Sequence, residues 1–241
     1  MGETTLRRRE EGQLTSGSVV SDRSCGDEIG IEPALALQYA PAGRREALLA
    51  LWQLDARLRR IFVSMREPAL AEIKLAWWQE RLSTLRTDAI PPEPLLQRLA
   101  GATALTPADL TKLAEGWRAL LAEQVCVKEL GDYARLRGQG LVRAGIDALG
   151  GVATESMLCG GEGFALVDYA AERPNHDMRD AAMHAARERF RQAGRLTWAH
   201  ATRPVGMIVE LARGDAMRGV PGKSGSPVRV ARMAWHALSG R

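Results

Sequence analysis

The chain is poor in aromatic residues, poor in lysine and nearly without cysteine. Aromatics make up 5% of its 241 residues, and among the basic residues lysine stands only at 74, 112, 128 and 223, the rest being arginine. With few aromatics between the basic runs, nucleic acid is not an expected partner. Cys25, Cys126 and Cys159 are odd in number and far apart, which excludes a disulfide framework and a CxxC zinc site and suits a reducing compartment. No apolar run approaches the roughly 18 residues that a membrane-spanning helix needs. The start of the chain, Arg7-Arg8-Arg9 followed by acids, Ser and Gly, lacks the apolar stretch of a secretory signal and is too acidic for a good transit peptide. β-branched residues are sparse, and neither a strand pattern nor an internal repeat stands out. His176, His184, His200 and His236 have no metal-ligand spacing, and no Gly-x-Ser-x-Gly elbow is present. Gly222-Lys223-Ser224 resembles the end of a phosphate-binding loop, but that loop needs a glycine where Met217 stands and a strand before it. Gly160-Gly161-Glu162-Gly163 lacks the context of a dinucleotide loop and reads as close helix packing.

What is present is a globular, helix-forming composition. Hydrophobic residues make up 46% and charged residues 26%, enough apolar material for a sizeable core. The net charge of +4 is mild, and is compatible with weak attraction to anionic membrane or to diphosphates. Residues 1–31 read as a disordered tail, and residues 32–241 as one all-α domain. The spacing predicts helices near 33–40, 43–64, 67–86, 92–100, 107–130, 132–149, 153–172, 177–201, 204–218 and 226–239. Pro91-Pro92, Pro107 and Pro204 suit starts or gaps, and Gly150-Gly151 suits an end.

Two helices carry unusual polar positions. On a helical wheel for 43–64, Leu48, Leu51, Trp52, Leu58 and Phe62 share a face, flanked by Leu54 and Ile61. Asp55 falls inside that face with Arg59 one turn later, while Arg57 and Arg60 point away. A charge in an apolar face is paired or lines a cavity, because an unpaired buried ion is very costly. Either Asp55 and Arg59 pair within the helix, or both line an internal polar pocket. In the next helix Leu70, Ile73, Leu75, Trp77, Trp78 and Leu82 form a wide apolar stripe, and Glu72 and Gln79 share one side. Adjacent Trp77 and Trp78 cannot face the same way, so one is expected in the core and the other against a neighbouring helix or a pocket.

The segments Ala36-Leu37-Gln38-Tyr39-Ala40-Pro41, Arg44 to Leu51, and Arg66-Glu67-Pro68 to Ile73, followed by Trp77-Trp78, resemble the squalene/phytoene synthase family. More narrowly they look like its divergent branch related to the mitochondrial complex I assembly factor. The likeness covers about 50 residues, weakens over 131–172 around Tyr133, Gly138, Gly150 and Gly163, and returns at 232–240. The resemblance implies an isoprenoid-synthase-like bundle around a central cavity and a transferase of terpenoid biosynthesis. In true members Mg²⁺, held by Asp-x-x-x-Asp motifs on facing helices, neutralises a departing diphosphate.

This chain departs from that pattern. Alignment with the first motif places Arg59, Arg60 and Val63 where aspartates are expected, and arginine cannot ligate Mg²⁺. Near the second motif the candidates are Asp168-x-x-x-Glu172, with correct helical spacing, and Asp177-x-x-Asp180. Candidate cavity or ligand residues are therefore Asp55, Arg59, Glu72, Trp78, Tyr133, Asp168 and Glu172, with Asp168 and Glu172 the metal candidates. Arg59 is expected either to pair with Asp168 or Glu172 in place of Mg²⁺, or to hold a diphosphate or lipid phosphate. The leading expectation is a pseudoenzyme with an assembly-factor-like or isoprenoid- or lipid-binding role, cytoplasmic or peripheral to the inner membrane, with an isoprenoid diphosphate, a lipid or a protein as candidate partner. The alternative is a Mg²⁺-dependent prenyltransferase using Asp55, Asp168 and Glu172. A third is a helical scaffold with a filled core.

Overall fold

The computed structural model describes residues 29–64, 67–172 and 176–240, and among them every regular element is helical. The elements are α1 (Ile31–Gln38), α2 (Arg45–Ser64), α3 (Pro68–Ser83), α4 (Pro94–Gly101), α5 (Pro107–Ala119), α6 (Val127–Tyr133), α7 (Gly140–Ala148), α8 (Glu155–Glu172), α9 (His176–Ala193), α10 (Arg203–Arg218) and α11 (Pro227–Ser239). A π-helical segment, Ala134–Gln139, joins α6 to α7 without a break. Most of the expected disordered tail, residues 1–28, lies outside the described residues. Its last residues do not: Ile29 is buried and α1 starts at Ile31, two residues before the expected start.

Local chemistry explains most boundaries. Proline occupies the first turn of α3, α4, α5, α10 and α11, where its missing N–H costs nothing. Leu96 N donates to the Glu93 carboxylate at the start of α4, and Asp109 N donates to Thr106 Oγ1 at the start of α5. The predicted helix 107–130 is two helices. The chain leaves α5 after Ala119 and restarts at α6, where Glu129 accepts from Cys126 N at 3.1 Å. The predicted helix 177–201 stops at Ala193, because Gly194 takes a left-handed conformation with φ +63°.

The core runs between α2, α3, α5, α8 and α10. Leu48, Leu51, Leu54 and Leu58 of α2 are fully buried, as are Leu75 and Leu82 of α3 and Trp117 of α5. Helix α8 packs against α9, α10 and the π segment, and its glycines permit this. A Cβ on Gly161 would lie 2.5 Å from the Gly138 carbonyl oxygen and 2.8 Å from Val142 Cγ2, and one on Gly163 would strike the Phe190 ring at 2.7 Å. Within the glycine run 160–163, Gly161 is thus a contact between helix backbones, while Gly160 and Gly163 make room for side chains.

Gly161→Ala should therefore lower stability by about 1–3 kcal/mol through overpacking. Gly101→Ala, whose Cβ would meet no atom within 4 Å, should leave stability nearly unchanged. Thermal denaturation followed by circular dichroism checks both; equal Tm values for the two variants would contradict the packing assignment.

Candidate functional site

A buried guanidinium organises the polar interior. Arg137 lies in the π segment and is 1% exposed. Single π turns inside helices widen the backbone and re-aim side chains, often at functional sites. Here the segment reaches between α5 and α8, against Gly116 and Gly161: a Cβ on Gly116 would lie 2.8 Å from Arg137 N. Arg137 Nε and Nη2 donate to the two oxygens of Asp55 at 2.8 and 2.6 Å, a bidentate pair. Nη1 donates to Tyr133 Oη at 2.7 Å. Nη2 also lies 2.8 Å from Asp168 Oδ2, an ionic contact without an aligned hydrogen bond. The Trp117, Phe164 and Tyr133 rings lie 4.6, 5.3 and 5.5 Å from Arg137 Cζ, and Trp117 Nε1 donates to Asp55 at 3.0 Å.

Arg59 sits one turn beyond Asp55 on α2, 3.7 Å from Asp168 and in direct contact with Glu172. The order across the site is therefore carboxylate, guanidinium, carboxylate, guanidinium, carboxylate: Asp55, Arg137, Asp168, Arg59, Glu172. Burial alone would raise the Asp55 carboxyl, but the Arg137 charge, with hydrogen bonds from Arg137 and Trp117, holds it below its ordinary range. The Arg59 guanidinium is pushed up by Asp168 first, against partial burial, and then by Glu172. Burial pushes the Tyr133 phenol far above its usual value, so it stays neutral.

Asp55, Arg137, Asp168, Arg59 and Glu172 line a cleft of about 400 Å³. Trp52, Leu141, Phe164, Val167 and Ile208 supply apolar wall, and the segment from Ile29 to Pro33 closes over it. A second ionic cluster lies on the cleft: Arg229 of α11 donates to Glu32 of α1 at 2.5 and 3.0 Å and to Asp215 of α10 at 2.5 Å. The cleft is thus lined by five carboxylates (Glu32, Asp55, Asp168, Glu172, Asp215) against three guanidiniums (Arg59, Arg137, Arg229).

The residues do not fit Mg²⁺. That ion takes carboxylate and water oxygens in octahedral geometry. Both Asp55 oxygens are taken by Arg137 and Trp117, Asp168 lies between two guanidiniums, and Glu172 is held by Arg59. Among the described residues no group of three or more His, Cys, Asp or Glu could hold a metal ion.

Of the sequence candidates, the structure brings Asp55, Arg59, Asp168 and Glu172 together at the cleft, with Tyr133 behind them on Arg137. Asp55 pairs with Arg137 and not along its own helix with Arg59. Glu72 and Trp78 are elsewhere. Glu72 binds Arg118 of α5, Nε to Oε1 3.0 Å, because its side of α3 packs on that helix. Trp78 is buried edge-on against Trp77, ring centroids 5.4 Å apart, and borders a separate groove with Arg60. Val63 is exposed at the end of α2, away from the cleft. Sequence reasoning missed Arg137, Trp117 and the Glu32–Arg229–Asp215 cluster. The one signal for Arg137 was its position four residues after Tyr133 and directly before Gly138.

No family model matches the chain, and comparisons with curated proteins and with solved structures found no match.

Arg137→Met should cost about 3–5 kcal/mol, because it leaves Asp55 buried without its counter-charge and Asp168 with Arg59 alone. Arg59→Met should cost at most about 1 kcal/mol, its side chain being 38% exposed and its pairs partly screened. Urea denaturation measures both. The depressed Asp55 carboxyl contributes stability that is fully present above its unfolded value, about pH 4, and is lost as pH falls through the lower folded value. Tm of the parent chain should therefore drop steeply below about pH 4. Asp55→Asn should start lower at pH 7 and fall less over the same range.

Proposed function

We propose that the chain is a non-catalytic helical protein of squalene/phytoene-synthase type that holds an uncharged isoprenoid or lipid in its cleft. The observation that carries this reading is the pair Arg59 and Arg137, which take the place of divalent cations between Asp55, Asp168 and Glu172. A fixed guanidinium balances charge permanently; it cannot arrive with a diphosphate and leave with it. The five lining carboxylates meet three lining guanidiniums and Arg218, which pairs with Asp215, so the cleft offers an anionic head group no surplus of positive charge. The apolar walls accept a chain. An assembly-factor-like role, in the cytoplasm or peripheral to an inner membrane, belongs to the same reading and rests on the sequence resemblance. No helix among the described residues is long and apolar enough to cross a membrane.

The test compares farnesol with farnesyl diphosphate, the latter with and without Mg²⁺. Farnesol at about a hundred times its Kd should raise Tm by roughly 5 °C or more. Ala171→Trp, which fills the cleft from an exposed wall position, should abolish that shift. Farnesyl diphosphate should give a smaller shift and no pyrophosphate. Metal-dependent pyrophosphate release that disappears in Asp168→Ala would overturn this reading in favour of a prenyltransferase with divergent ligands. A Tm unmoved by either compound would favour a scaffold without a ligand.

A further inference from the structure

A second, smaller hollow lies where α4 packs on α2. It holds about 200 Å³ and shares with the cleft only Ala56. Gln53, Arg57 and Arg60 line it from one side of α2, where helical spacing stacks them. Arg98 lines it from α4, and Leu95 closes it behind. Gln53 and Leu95 are buried, at 6 and 3% exposure, so the floor is dry protein and only the mouth meets solvent.

The charges in this hollow do not balance. Three guanidiniums line it, and among the described residues Glu93 is the single carboxylate that does. Glu93 is committed to the start of α4, where Oε2 accepts from Leu96 N at 2.8 Å. Its Oε1 lies 3.8 Å from Arg57 Nη1, an ionic contact too long for a hydrogen bond. Among the described residues neither Arg60 nor Arg98 has an ion pair. Three cations less one carboxylate leave two positive charges. Like charges gathered over a buried floor repel, and an anion placed between them relieves the repulsion. Guanidinium forks match the oxygens of a phosphoryl group. A dianionic phosphoryl group also matches the surplus charge. The hollow is smaller than the roughly 300–1,000 Å³ of sites for drug-sized ligands, which suits a small oxyanion and not an organic chain.

We infer that the hollow between α2 and α4 is a binding site for a phosphoryl group, free or at the end of a small monoester, held by Arg57, Arg60 and Arg98. The inference does not depend on what the cleft holds.

Isothermal titration calorimetry of the full chain at low ionic strength, with inorganic phosphate and separately with glycerol 3-phosphate, is the test. At least one of the two should bind at one site per chain with a Kd of about 1 mM or tighter, and binding should weaken as NaCl rises. Tighter binding of the monoester would assign the site to a phosphorylated metabolite, and tighter binding of phosphate to the free ion. Arg60→Gln/Arg98→Gln should weaken binding about tenfold or more. Both positions are exposed, so an unchanged Tm in phosphate-free buffer shows that the fold survives. Glu93→Gln, which keeps an acceptor for Leu96 N, should tighten binding about threefold or more. Arg195→Gln, at an exposed position far from the hollow in sequence and absent from its lining, should bind like the parent. So should Ala171→Trp in the cleft, which separates this result from that of the farnesol test. Three results would overturn the proposal: no binding of either compound, binding unchanged in Arg60→Gln/Arg98→Gln, or equal weakening in Arg195→Gln, which would mean diffuse attraction to a basic surface.

Discussion

The burial of Arg137 is the constraint around which the interior is built. A guanidinium that cannot be deprotonated is held at 1% exposure, so its charge and its donors must be answered inside the protein. Asp55 answers from α2, Asp168 from α8 and Tyr133 from one turn before, while Trp117 of α5 covers it and also donates to Asp55. One side chain thereby ties together the helices that form the core. The backbone meets the same demand. The π segment comes close enough to α5 and α8 only because Gly116, Gly138 and Gly161 have no Cβ to hold it away.

The site's chemistry follows from the same arrangement. A carboxylate on α2 facing a carboxylate pair one turn apart on α8 is a good start for a divalent-metal site. Interleaved with Arg137 and Arg59 they become a closed ionic lattice. Asp55 and Glu172 accept from N–H donors of fixed position, and Asp168 is held by charge between the two guanidiniums. The lattice contributes a rigid polar wall and little free charge, and the second cluster at Glu32, Asp215 and Arg229 does the same at the other ionic edge of the cleft. Between them lies the apolar wall of Trp52, Leu141, Phe164, Val167 and Ile208.

Much of this was legible in the sequence, and the rest was hidden for definable reasons. Period-3.6 apolar spacing and prolines at helix starts gave the all-α class and most helices. Asp55 stood out because a charge in an apolar face demands an explanation, and Asp168 and Glu172 because their spacing puts both on one side of α8. The wheel gives a face, however, and not the neighbour that covers it. Glu72 and Trp78 therefore looked like cavity residues, although their sides of α3 meet α5 and a separate groove. Arg137 was hidden because Arg135 and Arg137 flank Leu136 like any solvated stretch, and no local pattern announces a π turn. The break between α5 and α6 has no proline or glycine to signal it, and rests on the contact of Cys126 with Glu129. The Glu32–Arg229 pair joins residues 197 positions apart and has no local signature.

The most direct measurement of the central claim is manganese binding followed by electron paramagnetic resonance, with farnesyl diphosphate present at a fixed low concentration. If Arg59 and Arg137 hold the carboxylates as described, titrating the protein into Mn²⁺ should leave the free-ion signal at the level set by the diphosphate alone. A protein-dependent loss of that signal, abolished in Asp168→Asn, would mean that the carboxylates release their arginines for a metal, and would contradict the account.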